Sequence, residues 1–139
     1  MDTEKIVVAI IRNSKGDFFV HQRSKYKKTY PNLFGLGVGG HIKEKETARA
    51  AAKRELKEES SLESPIKYLF SIVYQPKNKE KYKVFVFETS TEKDIKTCLE
   101  EWQWSGWMNV RDLDLLLKSN KLCPDTAIFY QEYLNKYFN

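Results

Sequence analysis

GGHIKEKETARAAAKRELKEESSL, residues 39–62, is a glycine-rich approach followed by a helix-forming run. Ala, Leu, Lys, Arg and Glu dominate residues 47–60, and their helix propensities predict an α-helix there. At about 100° per residue the alanines share one face, which is expected to lie against the core. Glu55 and Glu59 project into that same face and Glu58 lies beside it, so the helix directs carboxylates where apolar side chains are expected.

Three carboxylates on one helical face need a partner, because they repel one another and are costly to bury alone. Salt bridges to the arginines and lysines of the same helix are one solution. A divalent cation is the other, since Mg²⁺ takes a few oxygen ligands from the protein and the rest from water and phosphate. The helix alone leaves both interpretations open, although its small alanines leave room for a hydrated ion.

Glycines precede the helix in GLGVGGH, residues 35–41. Glycine lets the backbone approach a ligand closely and adopt positive φ angles. A backbone carbonyl in this loop is therefore a candidate oxygen ligand beside the three carboxylates, which favours the metal interpretation.

The whole stretch resembles the Nudix box. In that pattern a glycine is followed, after five residues, by Glu and, after seven more, by Arg-Glu, an aliphatic residue, any residue, Glu-Glu, any residue, Gly and an aliphatic residue. This chain supplies Gly40, Glu46, Arg54, Glu55, Leu56, Glu58, Glu59 and Leu62 at those positions. It departs at one position, where Ser61 stands in place of the closing glycine.

The resemblance implies an α+β fold, an α/β/α sandwich around a mixed β-sheet. It also implies hydrolysis of a diphosphate linkage in a nucleoside diphosphate derivative, in which water attacks phosphorus with the help of Mg²⁺ or Mn²⁺. Arg54 would orient Glu55 through a salt bridge, Glu46 would support the site from the loop, and which glutamate acts as the base stays open. The implied metal ligands are Gly40 (through its carbonyl), Glu55, Glu58 and Glu59, and the implied catalytic residues are Glu55, Arg54 and Glu58.

Two further positions bear on this resemblance. Ser61 stands where the family's glycine ends the helix in a left-handed conformation, and a serine there costs on the order of 1 kcal/mol. Many family members carry another catalytic or metal-binding glutamate before the last strand. Here Glu100 and Glu101 are available, and Glu101 is the candidate, with solvent exposure of both as the alternative.

Substrate contacts are expected from basic and aromatic side chains near the box. Arg23 can bind phosphate in a bidentate manner, and His41 lies beside the glycine loop. Phe34 can stack on a base. These three residues are the substrate-binding candidates.

Four other side chains have less decided roles. His21 is expected at the surface end of its strand, with contact to the substrate as the alternative. Trp102 and Trp104 are further stacking candidates, with packing of their loop as the alternative, and Trp107 is expected in the core.

Composition indicates one ordinary globular domain, which we assign to residues 1–139. Hydrophobic residues make up 41% and charged residues 31%, and no apolar run approaches the roughly 18 residues of a membrane span. The net charge of +5 fits either an anionic ligand or, more simply, a lysine-rich surface. Cys98 and Cys123 have no metal-binding spacing and are expected to be free thiols in a reducing, cytoplasmic location.

Hydrophobic patterning predicts strands around the central helix. The predicted strands read KIVVAIIR, FFVHQRS, IKYLFSIVYQ and YKVFVFETS, and EWQWSGWMNV is predicted to be a loop leading into a short strand. Residues 25–40 are predicted to be irregular, and Pro65 is expected to end the central helix. RDLDLLLKSN is predicted to be a short helix, and DTAIFYQEYLNKYF a C-terminal helix with Asp125 as its N-cap.

Three other functions are alternatives to a hydrolase. An isopentenyl-diphosphate isomerase shares the fold, but it needs a catalytic cysteine before the helix, and this chain has none before Cys98. A non-catalytic nucleotide-binding module would be indicated by a broken glutamate set, and the set is intact. RNA binding through the basic charge would depend strongly on salt and is not expected. The expected partner is a small nucleotide or other diphosphate, and the oligomeric state stays open, with a homodimer among the alternatives.

Overall fold

The computed structural model describes residues 3–77, 79–95 and 100–138, which contain seven strands and three helices. Cys98, one of the expected free thiols, lies outside the described residues, whereas Cys123 is a free, buried thiol. The helices are α1 (Ala48–Ser60), α2 (Val110–Lys118) and α3 (Pro124–Tyr137). The strands are β1 (Glu4–Arg12), β2 (Phe18–Arg23), β3 (Phe34–Leu36), β4 (Val38–His41), β5 (Lys67–Tyr74), β6 (Tyr82–Ser90) and β7 (Trp102–Met108).

The strands form one mixed sheet with β1 at its centre. β1 runs parallel to β6 along its whole length, from Glu4 opposite Tyr82 to Arg12 opposite Ser90, and β5 pairs antiparallel with β6. On the other side β2 meets β1 where Phe18 faces Arg12, and β2 then pairs with β3 and β7. The prediction of a mixed sheet is confirmed.

Both faces of β1 are buried because helices cover both faces of the sheet. Val7, Ala9 and Ile11 pack in the cluster that contains the apolar residues of α1. Val8 and Ile10 pack in the cluster that contains the apolar residues of α2 and α3. An apolar side chain therefore suits every one of these positions, which is why the strand reads as a continuous hydrophobic run. The predicted α/β/α sandwich is confirmed.

One glycine separates two pairs of strands. Gly37 has a φ of 72° and joins β3, which pairs with β2, to β4, which pairs with β1. A side chain at Gly37 would collide with the backbone of Ala9, so the crossing requires glycine. A cavity lies between the β1–β4 and β2–β3 pairs. Residues 25–40 were predicted to be irregular, and this was wrong at the end of the segment, where β3 and β4 form. The glycine-rich sequence has no strand pattern of its own. These strands form because β2 pairs with β3 and β1 pairs with β4.

Helix α1 is capped at both ends. The Thr47 hydroxyl accepts a hydrogen bond from the amide of Ala50 at 3.1 Å, as an N-cap does. Ser61 adopts the left-handed conformation, with φ 62° and ψ 18°, and its amide donates to the Lys57 carbonyl at 2.9 Å. The helix therefore ends before Pro65, and the expectation that this proline ends it was wrong.

Helices α2 and α3 lie where they were predicted, with one difference in how α3 begins. Cys123 is the N-cap residue of α3 and makes no side-chain cap bond, and Pro124 is the first helical residue. Asp125 is therefore not the N-cap. Proline occupies the first helical position, so Asp125 is the second residue of the helix. No helix within the described residues is long and apolar enough to cross a membrane.

Ser61→Gly is expected to stabilise the protein by roughly 0.5–1 kcal/mol, because glycine adopts the left-handed conformation without the strain that a Cβ brings. The gain would appear as a higher midpoint in denaturant titration. Ser64→Gly is the matched control, since Ser64 lies outside the helix and has no positive φ. The control should be neutral or destabilising. A loss of stability in Ser61→Gly would show that this serine contributes something that glycine cannot.

Candidate active site

Two adjoining depressions lie at the end of β4 that faces α1. The first, here called the carboxylate cleft, has a volume of about 490 Å³ and lies between β4 and α1. The second, here called the inner cavity, has a volume of about 420 Å³ and lies between the β1–β4 and β2–β3 pairs. Both are lined by Gly39, Gly40, His41 and Glu101, so they are continuous. The other residues of the carboxylate cleft are Lys43, Arg54, Glu55, Glu58 and Glu59.

Arg54 is held by several acceptors. Its guanidinium donates to both oxygens of Glu46, at 2.8 and 2.9 Å, and to the His41 carbonyl at 3.0 Å. This pairing lowers the pKa of Glu46 to about 2. The remaining donor of Arg54 contacts Glu55 at 2.7 Å. The paired side chains are mostly shielded from solvent, so Arg54 holds the Glu55 carboxylate in one orientation.

Glu55 and Glu59 are close neighbours under the glycine loop. Glu59 accepts a hydrogen bond from the Gly39 amide at 3.0 Å and shares a hydrogen bond with Glu55. A side chain at Gly40 would meet the Glu55 carboxylate, so the absence of a Cβ lets the loop approach Glu55 in its observed orientation. Burial, followed by the nearby Glu55 carboxylate, raises the pKa of Glu59 to about 8. Burial and the neighbouring Glu55 carboxylate therefore both disfavour the ionised form of Glu59.

Two more carboxylates reach this cleft from its open side. Glu58 is half exposed, with 55% of its side chain accessible, and lies 3.4 Å from Arg54. Glu101 is 64% exposed and lies 3.4 Å from Lys27. Its backbone carbonyl accepts from the Ser24 amide at 2.8 Å, and this contact ties it to the end of β2. Of the two glutamates considered before β7, Glu101 lines the cleft, whereas Glu100 is exposed and lines neither depression.

The inner cavity contains two of the three predicted substrate-binding residues. Arg23 lines it and donates to the Thr29 carbonyl and hydroxyl, both at 3.0 Å. His41 lines both depressions. Phe34 lines neither; it packs edge-on against Trp104, with ring centroids 6.0 Å apart, and against the core. Of the three residues of β3, Gly35 and Leu36 line the inner cavity and Phe34 does not.

The tryptophans of β7 pack within the fold. Trp107 lies against Phe19, as expected for a core residue. Trp102 stacks on His21 with a centroid distance of 4.3 Å and an interplanar angle of 8°. Trp104 is 41% exposed and contacts Phe34. None of these three tryptophans lines either depression, so the structure favours the packing alternative for them.

His21 differs most from its expected position. Its Nδ1 lies 2.8 Å from the Gly37 carbonyl, and its ring is covered by Trp102. A side chain at Gly35 would collide with the imidazole. Burial lowers the pKa of His21 to about 4. The expectation of a surface histidine was wrong, because pairing of β2 with β3 and β7 covers this end of the strand.

His21 is expected to contribute a loss of stability on the order of 3 kcal/mol as the pH drops from about 6.5 to about 4, measured as the difference between the parent and a variant without this imidazole. In this window the unfolded chain binds a proton at His21 and the folded protein does not, so acid favours unfolding. His21→Gln should remove this pH dependence from denaturant titrations. His41→Gln is the control, because His41 is exposed and the variant should keep the slope of the parent. Equal slopes in all three proteins would contradict the assignment.

Several residues of the inner cavity were not identified from the sequence. They are Tyr30, Tyr74 and Asp125, and the hydroxyls of the two tyrosines lie 3.2 Å apart. Each comes from a different part of the chain, and no local pattern relates them. In the sequence, the only indication of these residues was the loop before β3, which is rich in tyrosine and lysine and contains Tyr30.

The donor set of the carboxylate cleft fits a hard divalent cation. It offers carboxylate oxygens and the glycine-loop backbone, and the ion pairs of the described residues do not include Glu59. In residues 3–77, 79–95 and 100–138, no group of three or more His, Cys, Asp or Glu side chains is already placed to hold a metal ion. Mg²⁺ is commonly held by one or two carboxylates together with water and substrate phosphate, so an open carboxylate pair suits it.

Comparison with known sequences agrees with this geometry. The profile of the NUDIX domain family matches residues 2–132. A Nudix hydrolase of Deinococcus radiodurans is 37% identical over 59 residues, which are 42% of this chain and 34% of that relative. An uncharacterized Nudix hydrolase of Streptomyces coelicolor is 29% identical over 122 residues, which are 86% of this chain and 67% of that relative. This chain thus spans about a third of the length of the Deinococcus relative and two thirds of the Streptomyces one.

A solved structure shares the architecture. The NUDIX domain of Shewanella oneidensis NrtR, in complex with ADP ribose, superposes with a TM-score of 0.78. The superposition covers 98% of this chain and 89% of that one, at 16% sequence identity. At this identity the likeness establishes the fold alone.

Proposed function

The chain belongs to the Nudix family, and from this premise we propose that it is a metal-dependent hydrolase of a diphosphate linkage in a nucleoside diphosphate derivative or related nucleotide. Water adds to one phosphorus of the diphosphate, and the bond between that phosphorus and the bridging oxygen breaks. The attacking water loses a proton, and the departing phosphate carries the bridging oxygen. The reaction consumes one water and yields two phosphate-bearing products.

One observation carries this proposal: Glu55 and Glu59 lie together beneath a glycine loop, in a cleft that opens into a second cavity. Arg54 fixes Glu55 at 2.7 Å, and the Gly39 amide fixes Glu59 at 3.0 Å. Rigidly placed carboxylates of this kind position a cation and a phosphate with little reorganisation. A salt-bridged surface helix would leave these carboxylates exposed beside lysines, whereas the Glu55 side chain is 13% exposed.

The metal ligands in this proposal are the Gly40 carbonyl, Glu55, Glu58 and Glu59. Mg²⁺ or Mn²⁺, when bound, would neutralise the diphosphate and lower the pKa of a bound water. Glu58 is more exposed than Glu55 on the same helix, which suits it to accept the proton of the attacking water. Glu55 is held by Arg54 and serves better as a fixed ligand than as a base.

The substrate's phosphates are assigned to the basic side chains between the two depressions. Arg23 and Lys27 line the inner cavity, and His41 lines both depressions. Their charges and donors suit phosphate oxygens. The ADP ribose held by the Shewanella domain is a nucleoside diphosphate derivative, and it supports a small nucleotide as the partner here.

The test is a panel of nucleoside triphosphates, nucleotide sugars, dinucleoside polyphosphates and isoprenoid diphosphates, assayed with Mg²⁺ or Mn²⁺ for release of phosphate or pyrophosphate. Hydrolysis of at least one compound with metal, and its loss in excess chelator, is the expected result. Full turnover in excess chelator would refute the metal assignment. Binding of nucleotides without turnover would instead indicate a non-catalytic module.

The same proposal includes the setting in which the protein works. Residues 1–139 act as one domain, and the free Cys123 thiol supports a reducing, cytoplasmic location. No nucleic acid or membrane is required as a partner.

A further inference from the structure

We infer that the inner cavity holds the nucleobase of the substrate, and that Asp125 selects bases that carry an exocyclic amine. This inference rests on the proposed function, because it specifies the substrate of the same site. Asp125 is not part of the carboxylate cleft; it lies on the first turn of α3 and lines the inner cavity.

The connection between the two depressions defines how a substrate would lie. Gly39, Gly40, His41 and Glu101 line both of them, so one molecule can occupy both. With the diphosphate at the carboxylate cleft, the remaining part of a nucleotide extends into the inner cavity. Its volume of about 420 Å³ is within the range of small-molecule sites, roughly 300–1,000 Å³.

The walls of the inner cavity suit a flat aromatic ring. Tyr30 and Tyr74 line it, and a hydrogen bond between their hydroxyls, 3.2 Å apart, holds the two rings in place. Tyr74 also stacks on Tyr82, with an interplanar angle of 19°. Phe129 is buried and adds an apolar surface to the lining. Every base has a flat π-face that can stack on an aromatic side chain, so these walls provide affinity without selecting one base.

Among the residues that line the inner cavity, Asp125 has a carboxyl group suited to hydrogen-bonding the edge of a base. One carboxylate oxygen accepts a hydrogen bond from the Thr126 amide at 2.9 Å. No ion pair of the described residues includes Asp125. Burial raises the pKa of this carboxyl, and the positive charge of Arg23 opposes the shift. A largely buried carboxylate gains from a ligand that donates hydrogen bonds to it.

The hydrogen-bonding edge of the base decides which ligands can do so. A donor on the ligand favours the ionised form of the Asp125 carboxyl, and that form has acceptors and no donor. The amines of cytosine, adenine and guanine donate to such a group. Uracil has a carbonyl where cytosine has its amine. Hypoxanthine has a carbonyl where adenine has its amine, and it lacks the amine of guanine. With uracil or hypoxanthine, a carboxylate therefore faces another acceptor or has no hydrogen-bond partner. Sites built to hydrogen-bond a ligand group reject analogues that lack it.

Binding is measured by titration calorimetry in excess chelator, so that no turnover is needed. CDP is compared with UDP, and ADP and GDP are compared with IDP. The parent protein is expected to bind at least one amino-bearing member about tenfold or more tightly than its oxo counterpart. Asp125→Asn, which presents both a donor and an acceptor, should reduce that preference to about threefold or less, chiefly by improving the binding of UDP or IDP.

Asp112→Asn is the matched control. It removes the same charge from the first turn of α2, at an exposed residue that lines neither depression, and it should keep the preference of the parent. Absence of a preference in the parent protein, or an unchanged preference in Asp125→Asn, would overturn the inference. The parent comparison decides even if Asp125→Asn folds poorly.

The outcome of this experiment distinguishes a failure of the Asp125 assignment from a failure of the proposed function. A base preference in the binding assay, without hydrolysis of any panel compound in the presence of metal, would keep the assignment of Asp125 and refute the hydrolase. Hydrolysis without any base preference would keep the hydrolase and refute the assignment of Asp125.

Discussion

Glu59→Gln is expected to lower the rate of hydrolysis by about a hundredfold or more and to weaken Mg²⁺ binding. The substitution keeps the shape of the side chain, and the amide can still accept from Gly39 and donate to Glu55. It removes one negative charge from the site where the cation and the reacting diphosphate are proposed to lie. The loss should therefore appear in turnover and in the metal concentration needed for half-maximal activity.

The stability of the same variant should change in the opposite direction. The pKa of Glu59 is raised to about 8, so ionising this buried group costs stability above the ordinary pKa of about 4.5. Without metal, Glu59→Gln should be more stable than the parent at pH 8, by an amount on the order of 1–3 kcal/mol, and the difference should vanish near pH 4. The melting temperature with and without Mg²⁺ measures this.

Glu63→Gln is the control, because Glu63 is exposed and pairs with Lys57 at the surface. Its rate and metal dependence should match those of the parent. A destabilised Glu59→Gln that binds Mg²⁺ as the parent does would show that Glu59 is a structural ion-pair partner. That outcome would overturn the assignment of the whole carboxylate cleft.

Arg54→Lys is expected to lower the rate by about 10- to 100-fold, the range seen when groups that orient metal ligands are removed. Arg54 donates at once to Glu46, to Glu55 and to the His41 carbonyl. A lysine keeps the charge, but its compact ammonium cannot form this planar set of bonds. Glu55 would then lose its fixed orientation under Gly40 although the net charge of the site is unchanged.

Arg49→Lys is the matched control on the same helix. Arg49 donates to the Ile66 carbonyl at 3.0 Å and lines neither depression. Its rate should stay within about twofold of the parent. The metal concentration for half-maximal activity should rise in Arg54→Lys and not in Arg49→Lys. Equal rates in the two variants would mean that Arg54 contributes charge alone and does not position Glu55.

The proposed base selection by Asp125 and the proposed hydrolysis at the carboxylate cleft involve different elements of the fold. The cleft is built from β4 and α1, which are close in sequence. The inner cavity adds residues from the loop before β3, from β5 and from the start of α3. A change of substrate among related proteins can therefore arise in the cavity while the carboxylates stay the same.

The sequence by itself determined the elements whose signals are local. Helix α1, its Thr47 cap and the left-handed position of Ser61 follow from propensity and capping within a few residues. The carboxylates share one face because the helix repeats every 3.6 residues. The family and its mixed sheet could be predicted from this stretch and from the apolar runs of β1, β5 and β6.

Only the tertiary structure decided which distant residues meet. Glu101 lies more than 40 positions after Glu59, and strand pairing between β2 and β7 brings it to the cleft. Asp125 reaches the inner cavity because α3 packs against the sheet, and the burial that lowers the pKa of His21 comes from Trp102 and the neighbouring strands. Side-chain type is written in the sequence, but burial and proximity depend on long-range strand pairing, which local propensities do not encode.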